Sequence, residues 1–300
     1  MQRTVARQVE LSCPVGAGRF GEVWLGHWRG EAVAVKLFNT RDEQSWQREV
    51  EIYETTWLRH PNILAYIASD CRDVGVALQL WLITEYHEFG SLYDYLMEKS
   101  VTPPVVAKMI RSIASGLSFL HFELENSSHS QKPAIAHRDI KSRNILVKSD
   151  KTCAITDFGL AVKFENGKVD LPNNSKCGTT RYLSPELLLD SYDLKNFESH
   201  KMSDVYAMGL VMWELLRRCE IDGFLDHISS YELPYFDCLS REPTLEDMKR
   251  VLLVERRRPV PCQYWKKNFV SLECFSNILE VLILFIVFAS AYSFIVSVML

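Results

Sequence analysis

The chain changes character along its length, from short apolar runs to longer amphipathic periods. Residues 9–28, 32–38 and 80–86 hold β-branched and aromatic side chains in short runs bounded by glycine and polar residues, which predicts strands. Apolar residues recur every three or four positions over 46–57 and 110–120, which predicts two amphipathic helices. Strands are therefore expected mainly in the first third of the chain, and helices mainly after it.

Local signals predict where several elements begin and end. Residues 40–43 have the spacing of a capping box at the start of the first helix, and Pro61 separates that helix from another strand. Residues 70–79 are polar and predict a loop. A helix is expected to open within 90–96, after a short connector between two lobes, and an apolar helix is expected at 203–219.

Composition narrows the class of protein without specifying it. The 300 residues are 47% apolar, enough for one large bilobal domain or two ordinary ones. The formal net charge of −4 gives no argument for nucleic-acid binding. The eight cysteines are scattered without a CxxC pair, which favours reduced thiols in the cytosol over a zinc site or a disulfide framework.

The stretch HRDIKSRN, residues 137–144, combines three groups that phosphoryl transfer requires. Asp139 can orient and deprotonate an attacking hydroxyl, Lys141 can neutralise the moving phosphate, and Asn144 can hold a metal ion. Asp204, further along the chain, is expected to cap backbone groups near this stretch, which is a structural role. A match of eight residues can arise by chance, so its weight depends on other motifs.

A glycine-rich segment near the start of the chain fits a phosphate-binding loop. Gly16, Gly18, Gly21 and Val23 match GxGxxGxV, in which small residues let backbone N–H groups approach phosphate oxygens. The alternative is a glycine-rich hairpin that binds no ligand. A strand rather than a helix is predicted after the last glycine, and this argues against a dinucleotide-binding fold.

A lysine within the next apolar strand requires a negative partner. Lys36 lies in the run 32–38, where burying an unpaired ammonium group would be costly. An ATP phosphate pair and a helix carboxylate would both serve, and Glu49 in the first predicted helix is the chosen carboxylate. Glu51 and Glu54 are alternatives that better fit a solvated helix face.

Two later features complete the same chemistry. Asp157 opens an Asp-Phe-Gly turn after a predicted strand and would chelate the magnesium that bridges the phosphates. The segment 160–182 is polar and contains glycine, as expected of a mobile activation loop. Thr179, near its end, is expected to reach back to Asp139 and Lys141.

In order, the motifs GxGxxGxV, VAVK, HRDIKSRN, DFG and SPE resemble those of eukaryotic protein kinases. Lys141, where tyrosine kinases usually carry alanine or arginine, makes the chain similar to serine/threonine kinases. More narrowly, FGEVWLGHWRGEAVAVKLF, SWQREVEIYETTWLRHPNIL and SDVYAMGLVMWELLRRC resemble the kinase domain of transforming growth factor-β family type I receptors. The resemblance implies a bilobal α+β kinase fold with a small β-rich N-lobe and a helical C-lobe.

The resemblance also implies a site between the lobes for ATP with Mg²⁺, or with Mn²⁺ in its place. Thr84 would lie behind the adenine, the backbone of 85–87 would hydrogen-bond to it, and Asn144 and Asp157 would hold the metal. Glu186 would belong with Thr179 to the activation and substrate-binding segment. The implied ATP-contacting residues are Val15, Gly16, Gly18, Gly21, Val23, Ala34, Lys36, Thr84, Glu85 and His87.

Family membership would make the protein a membrane receptor with a cytoplasmic kinase. A type II receptor kinase would activate it, and its substrates would be receptor-regulated Smad proteins. Residues 1–8 resemble the juxtamembrane segment of the family, the N-lobe would span 9–86 and the C-lobe 87–265. Residues 70–79 match the Smad-selecting loop of the family in position.

Three departures from the family pattern carry expectations of their own. Asp-Phe-Gly replaces the usual Asp-Leu-Gly, an apolar exchange that should preserve the metal site. The ectodomain, the transmembrane helix and the Gly/Ser-rich regulatory stretch are not in the sequence. The resemblance ends near Trp265, so the last C-lobe helices, the arginine partner of Glu186 and part of the apolar cover of helix 203–219 are expected to be missing. A buried carboxylate without its partner would cost roughly 3–5 kcal/mol.

The divergent tail, 266–300, ends in an uncharged apolar segment, 281–300. Its length suits a bilayer-spanning helix, so one hypothesis is a tail anchor. A second is that the helix covers the C-lobe, and a third, which we favour, is that the tail derives from a mis-spliced or mispredicted end.

The leading hypothesis for the function of the chain is a receptor serine/threonine kinase. The alternative is a catalytically impaired binding module or decoy for receptor partners.

Overall fold

The computed structural model describes residues 5–18, 21–55, 58–73, 78–124, 132–171, 178–189, 192–220 and 230–260. A five-stranded antiparallel sheet forms the first part, in the order β1-β2-β3-β5-β4. Its strands are β1 (Glu10–Gly18), β2 (Gly21–Trp28), β3 (Glu31–Phe38), β4 (Tyr66–Asp73) and β5 (Leu78–Glu85), with helix α1 (Glu43–Tyr53) between β3 and β4.

The second part is built mainly from helices. They are α2 (Leu92–Glu98), α3 (Pro103–His121), α4 (Phe197–Arg217) and α5 (Leu245–Lys249), which a π-helical turn (Arg250–Val254) follows. Short strands lie between α3 and α4: β6 (Ala134–Ala136), β7 (Ile145–Val147), β8 (Cys153–Ile155), β9 (Val162–Glu165) and β10 (Lys168–Val169). β7 pairs with β8, and β6, β9 and β10 form a small sheet. The predicted bilobal α+β architecture is confirmed.

Side-chain alternation gives the five-stranded sheet two different faces. Val33 and Val35 of β3 are buried in one apolar cluster with Trp81 and Ile83 of β5. Because successive side chains of a strand point to opposite faces, Lys36, which follows Val35, points to the other face, toward the second lobe. The alternation therefore directs the one cation of β3 away from the small cluster.

A larger apolar cluster connects the two lobes. It contains Ile52 of α1, Leu82 of β5 and Phe158, together with the buried faces of α3 and α4. Phe158 packs edge-on against Tyr53 at a ring distance of 5.0 Å. The phenylalanine that distinguishes this Asp-Phe-Gly turn is thus a core residue that contacts the first helix.

The first predicted helix is present, but both of its ends differ from the prediction. Residues 40–42 form a 3-10 turn, and α1 begins at Glu43. The N-cap residue of α1 is Asp42 rather than Thr40, so the helix does not begin at the predicted capping box. The turn is continuous with the helix and bonds its own backbone, from Asp42 N–H to the Asn39 carbonyl at 2.9 Å. The helix ends at Tyr53 rather than at residue 57.

The loop predicted at 70–79 is largely two strands, because β4 reaches Asp73 and β5 begins at Leu78. β4 lies at the edge of the sheet, where polar side chains are compatible with strand structure. Residues 74–77 lie outside the described part of the chain. Likewise, part of the predicted activation loop forms two strands: β9 pairs with β6, and β10 pairs with β9.

Helix α4 starts earlier than predicted and is well covered. It begins at Phe197, and the Asn196 side chain accepts a hydrogen bond from the backbone of Glu198 at 3.1 Å. Its polar first turns lack the apolar period that marks the rest of the helix. Met248 and Val251 are fully buried in the cluster that contains α4, so the expected loss of apolar cover is not observed.

The burial of Glu186, whose arginine partner was expected to be missing, is only partly compensated. Glu186 is half-buried, and burial raises its pKa above the ordinary value. The hydroxyl of Ser184 and the positive charge of Arg258 oppose that rise. A nearby cation therefore compensates part of the cost of burial within the described residues.

None of the described helices is both long and apolar enough to span a bilayer. The apolar segment 281–300, on which the anchor hypothesis rests, lies outside the described residues. The cysteines that the structure describes, Cys13, Cys71, Cys153, Cys219 and Cys238, are all free thiols.

Candidate active site

Helix α4 supports the stretch 137–144 through one buried carboxylate. Asp204 accepts hydrogen bonds from the backbone N–H groups of His137 and Arg138, both at 2.7 Å. His121 of α3 approaches the same carboxylate at 3.0 Å. Burial by itself opposes ionisation of Asp204, but these hydrogen bonds hold its pKa below the ordinary value. Asp204 thus makes the predicted backbone contacts.

Asp139 lies at the centre of a second hydrogen-bonded cluster. Its Oδ2 atom accepts a bond from the Lys141 ammonium at 2.7 Å, and its Oδ1 atom accepts bonds from the Thr179 hydroxyl and backbone N–H at 2.7 and 2.8 Å. Lys141 also donates to the Thr179 hydroxyl at 2.8 Å. The structure therefore brings together the three residues that the sequence predicted to meet.

Lys36 lies between two carboxylates from different elements. Its ammonium is 2.8 Å from Glu49 of α1 and 2.9 Å from Asp157. Burial lowers the pKa of Lys36, but the two carboxylates raise it overall, while burial raises the pKa of Glu49 to about 7. Glu51 and Glu54 are exposed instead, as expected for the solvated side of the helix.

The residues predicted to contact ATP mostly share one face of the sheet. In the register, Gly16 opposes Val23, Gly18 opposes Gly21, Val23 opposes Lys36 and Ala34 opposes Thr84. Directly opposed residues share a face, as do alternate residues of one strand. The set on the Lys36 face is Gly16, Gly18, Gly21, Val23, Ala34 and Thr84. Val15 occupies an irregularity between Pro14 and Gly16 and is 45% exposed.

Gly21 has a backbone reason for lacking a side chain. Its φ of +147° is rarely adopted by other residues, and a Cβ atom there would lie 1.8 Å from the Leu37 carbonyl oxygen. The last glycine of the motif is thus required for the close approach of β2 to β3. Residues 19–20, at the tip of the glycine loop, lie outside the described part.

The connector after β5 carries the residues predicted to meet the adenine. Thr84 is buried at the end of β5, on the Lys36 face. The Glu85 N–H already donates to the Ala65 carbonyl at 3.0 Å, and the His87 carbonyl accepts a bond from Gly90 at 3.1 Å. The Glu85 N–H is therefore already used, whereas the carbonyl oxygens, each with two lone pairs, can still accept a hydrogen bond. Burial lowers the pKa of the His87 imidazole.

The predicted metal ligands supply oxygen atoms of the right type. The Asn144 amide nitrogen donates to the Asp139 carbonyl at 2.9 Å, which leaves the amide oxygen as its ligand atom. Asp157 contributes a carboxylate from a backbone with φ of +71°. Amide and carboxylate oxygens suit Mg²⁺, which usually completes its shell with phosphate and water. Accordingly, the described residues hold no cluster of three or more acidic, histidine or cysteine side chains that would bind a metal alone.

Comparison with known proteins identifies the family of the chain. Residues 9–230 match the protein kinase domain family. The chain belongs to the protein kinase family.

Several type I receptors are similar to this kinase. The human activin receptor type-1C is 52% identical over 268 residues, which is 89% of this chain and 53% of the receptor. The human TGF-beta receptor type-1 is 50% identical and the mouse activin receptor type-1B 48% identical, each with 52% of its length covered. The resemblance to type I receptors is confirmed. The chain spans about half the length of these relatives.

The sequence did not reveal a buried network between the catalytic loop and α4. Glu214, fully buried on α4, accepts bonds from the hydroxyls of Tyr182, at 2.6 Å, and Tyr231. The Ser142 hydroxyl is 3.4 Å from both tyrosine hydroxyls. Burial raises the pKa of Glu214 to about 7. A glutamate within an otherwise apolar helix was the only available signal.

Arg48, next to Glu49 on α1, was also overlooked. Its guanidinium donates to the Ala161 carbonyl at 2.8 Å and to the carboxylate and carbonyl of Asp170 at 2.6 and 2.8 Å. It also pairs with Glu51 at 2.9 Å. One side chain therefore joins helix α1 to the segment that follows the Asp-Phe-Gly turn.

Proposed function

We propose that this kinase is a receptor-type protein serine/threonine kinase that transfers the γ-phosphate of ATP to a serine hydroxyl. The observation that carries the proposal is the Asp139 cluster, in which a carboxylate, Lys141 and Thr179 lie within hydrogen-bond distance of one another. Such a cluster can hold an acceptor hydroxyl and offset the charge of a transferring phosphate.

Asp139 is proposed to orient the acceptor hydroxyl and take its proton. The Thr179 hydroxyl and N–H hold Oδ1, and Lys141 holds Oδ2, so the carboxylate is fixed before a substrate arrives. Lys141 is also placed to neutralise charge on the phosphoryl group. This fixed geometry supports general-base positioning, because a prepositioned group needs no reorganisation during the reaction.

Lys36 is proposed to bind the ATP phosphates, with Glu49 holding its ammonium in place. The sheet face that carries Val23, Ala34 and Thr84 would cover the base, and the glycine loop would approach the phosphates through its backbone. Asn144 and Asp157 would hold Mg²⁺, or Mn²⁺ in its place, and the bound ion neutralises phosphate charge and orients the oxygens.

The biological setting is proposed from the relatives. We propose receptor-regulated Smad-like proteins as substrates, a type II receptor kinase as the activating partner, and a membrane-associated protein with a cytoplasmic kinase domain. The proposed boundaries are 1–8 for the juxtamembrane-like segment, 9–86 for the N-lobe, 87–265 for the C-lobe and 266–300 for the tail. Residues 70–79, which include the last residues of β4 and the first residues of β5, remain the proposed Smad-selecting region.

The rival proposal is a binding module or decoy that occupies receptor partners without phosphorylating them. Phosphate transfer from labelled ATP by residues 1–300 in detergent separates the two, with Lys36→Met as the matched variant. We expect incorporation by the wild type and a loss of at least about 100-fold in the variant, because the phosphates lose their cation. Equal incorporation by both proteins would contradict the proposed role of Lys36.

Thermal unfolding with and without ATP and magnesium identifies the other outcomes. A rise in melting temperature without phosphate transfer would favour the binding module, since a ligand that binds only the folded state stabilises it. If the melting temperature does not rise and no phosphate is transferred, both the kinase and an ATP-binding module are contradicted.

A further inference from the structure

A cavity of about 310 Å³ opens beside the proposed phosphoacceptor position. Lys141 and Thr179, which both contact Asp139, form part of its wall. Residues 180–182 and 241–243 form two other parts. A peptide whose serine reaches Asp139 would therefore pass this cavity within a few residues, since an extended chain advances about 3.3–3.6 Å per residue.

The lining of this cavity is strongly cationic. Lys141, Arg143, Arg181 and Arg241 contribute positive charge, and Glu242 contributes the opposite charge. Lys141 is already committed to Asp139 and Thr179, as described above. The remaining three arginines are in excess over the one carboxylate of the lining, so the cavity carries a net positive charge.

Arg181 contributes a fixed, buried part of that charge. Its guanidinium donates to the carbonyls of Pro234 at 2.6 Å and Arg241 at 3.0 Å, and also to the carbonyl of Ser240. These partners are neutral, and no carboxylate forms an ion pair with Arg181 among the described residues. Burial lowers the pKa of Arg181, yet an arginine remains charged at neutral pH. Its charge therefore acts on whatever enters the cavity.

Arg143 and Arg241 supply the solvent-accessible part of the positive charge in the cavity. Both side chains are exposed, and within the described ranges neither forms an ion pair with an acidic residue. The Arg143 guanidinium lies 3.6 Å from the centre of the Tyr93 ring, which restrains it without using up its hydrogen-bond donors. A guanidinium held in this way is suited to a planar carboxylate or to a phosphate.

We propose that this cavity is an anion subsite for the peptide substrate, in which Arg143 and Arg241 bind a carboxylate or a phosphate near the acceptor serine. The inference rests on the proposed kinase function, because it assumes that Asp139 marks the acceptor position. It adds a preference of chemical class: peptides with an acidic or phosphorylated residue close to the serine are favoured over neutral ones.

The test uses the chain 1–300 and serine peptides that differ at one position. In each set, glutamine, glutamate or phosphoserine occupies one of the four positions on either side of the acceptor. The ratio of kcat/KM for the charged peptide to that for the glutamine peptide is measured for each position. We expect a ratio of about 10 or more at one or two neighbouring positions, because charge-assisted hydrogen bonds are the strong ones.

The double variant Arg143→Gln, Arg241→Gln is the decisive comparison. We expect the kcat/KM ratio of charged to glutamine peptide to fall to about 1 to 2 in this variant. The double variant Arg143→Lys, Arg241→Lys should restore part of the wild-type ratio. Arg29→Gln is the matched control. Arg29 is also an exposed arginine that stacks on an aromatic ring, 4.7 Å from the centre of the Trp28 ring, but it lies in the N-lobe and does not line the cavity. The control should keep the wild-type ratio.

Fluorescence anisotropy of the same labelled peptides keeps the inference separate from catalysis. Tighter binding of a charged peptide that the double variant loses would support the subsite even if no phosphate is transferred. A larger ratio for phosphoserine than for glutamate assigns the subsite to phosphate, and the reverse order assigns it to carboxylates. Absence of any charge preference in both assays, or a preference unchanged in the double variant, would overturn the proposal.

Discussion

Two buried carboxylates on the same helix behave in opposite ways. Asp204 and Glu214 both lie on α4, and both are almost inaccessible to solvent. The pKa of Asp204 is held below its ordinary value, whereas that of Glu214 is raised to about 7. Burial opposes ionisation of both groups, so the difference must come from their hydrogen-bond partners.

Those partners differ in kind. Asp204 accepts bonds from two backbone N–H groups, which cannot act as acceptors, and from His121. Glu214 accepts bonds from tyrosine hydroxyls, which can rotate and instead accept a hydrogen bond from a neutral carboxyl group. Fixed donors therefore keep one carboxylate charged, and adaptable hydroxyls allow the other to become neutral.

Replacement of Asp204 tests the charged carboxylate of the pair and should give the largest change in the free energy of unfolding. In Asp204→Asn an amide N–H₂ group faces one of the backbone N–H donors, and the charge that both donors require is lost. We expect the free energy of unfolding to fall by about 3 kcal/mol, measured by urea denaturation. Asp193→Asn is the control, because Asp193 is exposed and accepts a single backbone bond, from Lys195 at 2.9 Å. Similar losses in the two variants would contradict the role of burial.

Glu214→Gln tests the neutral member through the pH dependence of stability. Between pH 4.5 and 7 the folded protein keeps a proton on Glu214 that the unfolded chain has released, so the contribution of this group decreases as pH rises. The stability of the wild type relative to the variant should fall by up to about 3 kcal/mol across this range. The shift of Glu49 is common to both proteins and cancels.

Urea denaturation at pH 5, 6, 7 and 8 measures that difference. Asp204 has the opposite sign, because its contribution is present above its ordinary pKa of 3.8 and is lost as pH falls below it. A difference between wild type and Glu214→Gln that is flat or rises with pH would show that Glu214 is ionised in the folded protein.

Tyr231→Phe should give the smallest effect of the three. It removes one hydroxyl from Glu214, with an expected loss of about 1 kcal/mol and a further rise in the pKa of that carboxyl group. Tyr66→Phe is the matched control, since the Tyr66 hydroxyl bonds the exposed Glu54 at 3.2 Å and Ser69 at 2.9 Å. The control should lose less stability, and an equal loss would mean that burial of the acceptor does not matter.

The contrast between these carboxylates also marks what a sequence can predict. Lys36 lies in an apolar strand and therefore required a negative partner. Asp139 belongs to a motif whose spacing reflects its chemistry, and Thr179 lies near the end of the predicted activation loop, so their contacts were predicted. Glu214 belongs to no motif, and its tyrosine partners come from distant points of the chain that only tertiary packing brings together.

Element boundaries were less predictable than element types, for reasons of environment. β4 is polar because it lies at an edge of the sheet, and it was therefore interpreted as a loop. The first turns of α4 are polar although the remainder of the helix is in the core, so the predicted start, residue 203, came after the true one at Phe197. In both cases polarity reports exposure rather than backbone conformation.

Arg48 couples the position of α1 to that of the segment after the Asp-Phe-Gly turn. Its one guanidinium serves Ala161 and Asp170 on that segment, while the neighbouring Glu49 holds Lys36 in the cleft. Displacing Asp170 would release the helix face that positions Glu49, and a ligand that draws Lys36 away would loosen the same face from the other side. By thermodynamic reciprocity, ordering of the segment 161–170 then strengthens ligand binding in the cleft by the same free energy with which a bound ligand orders the segment.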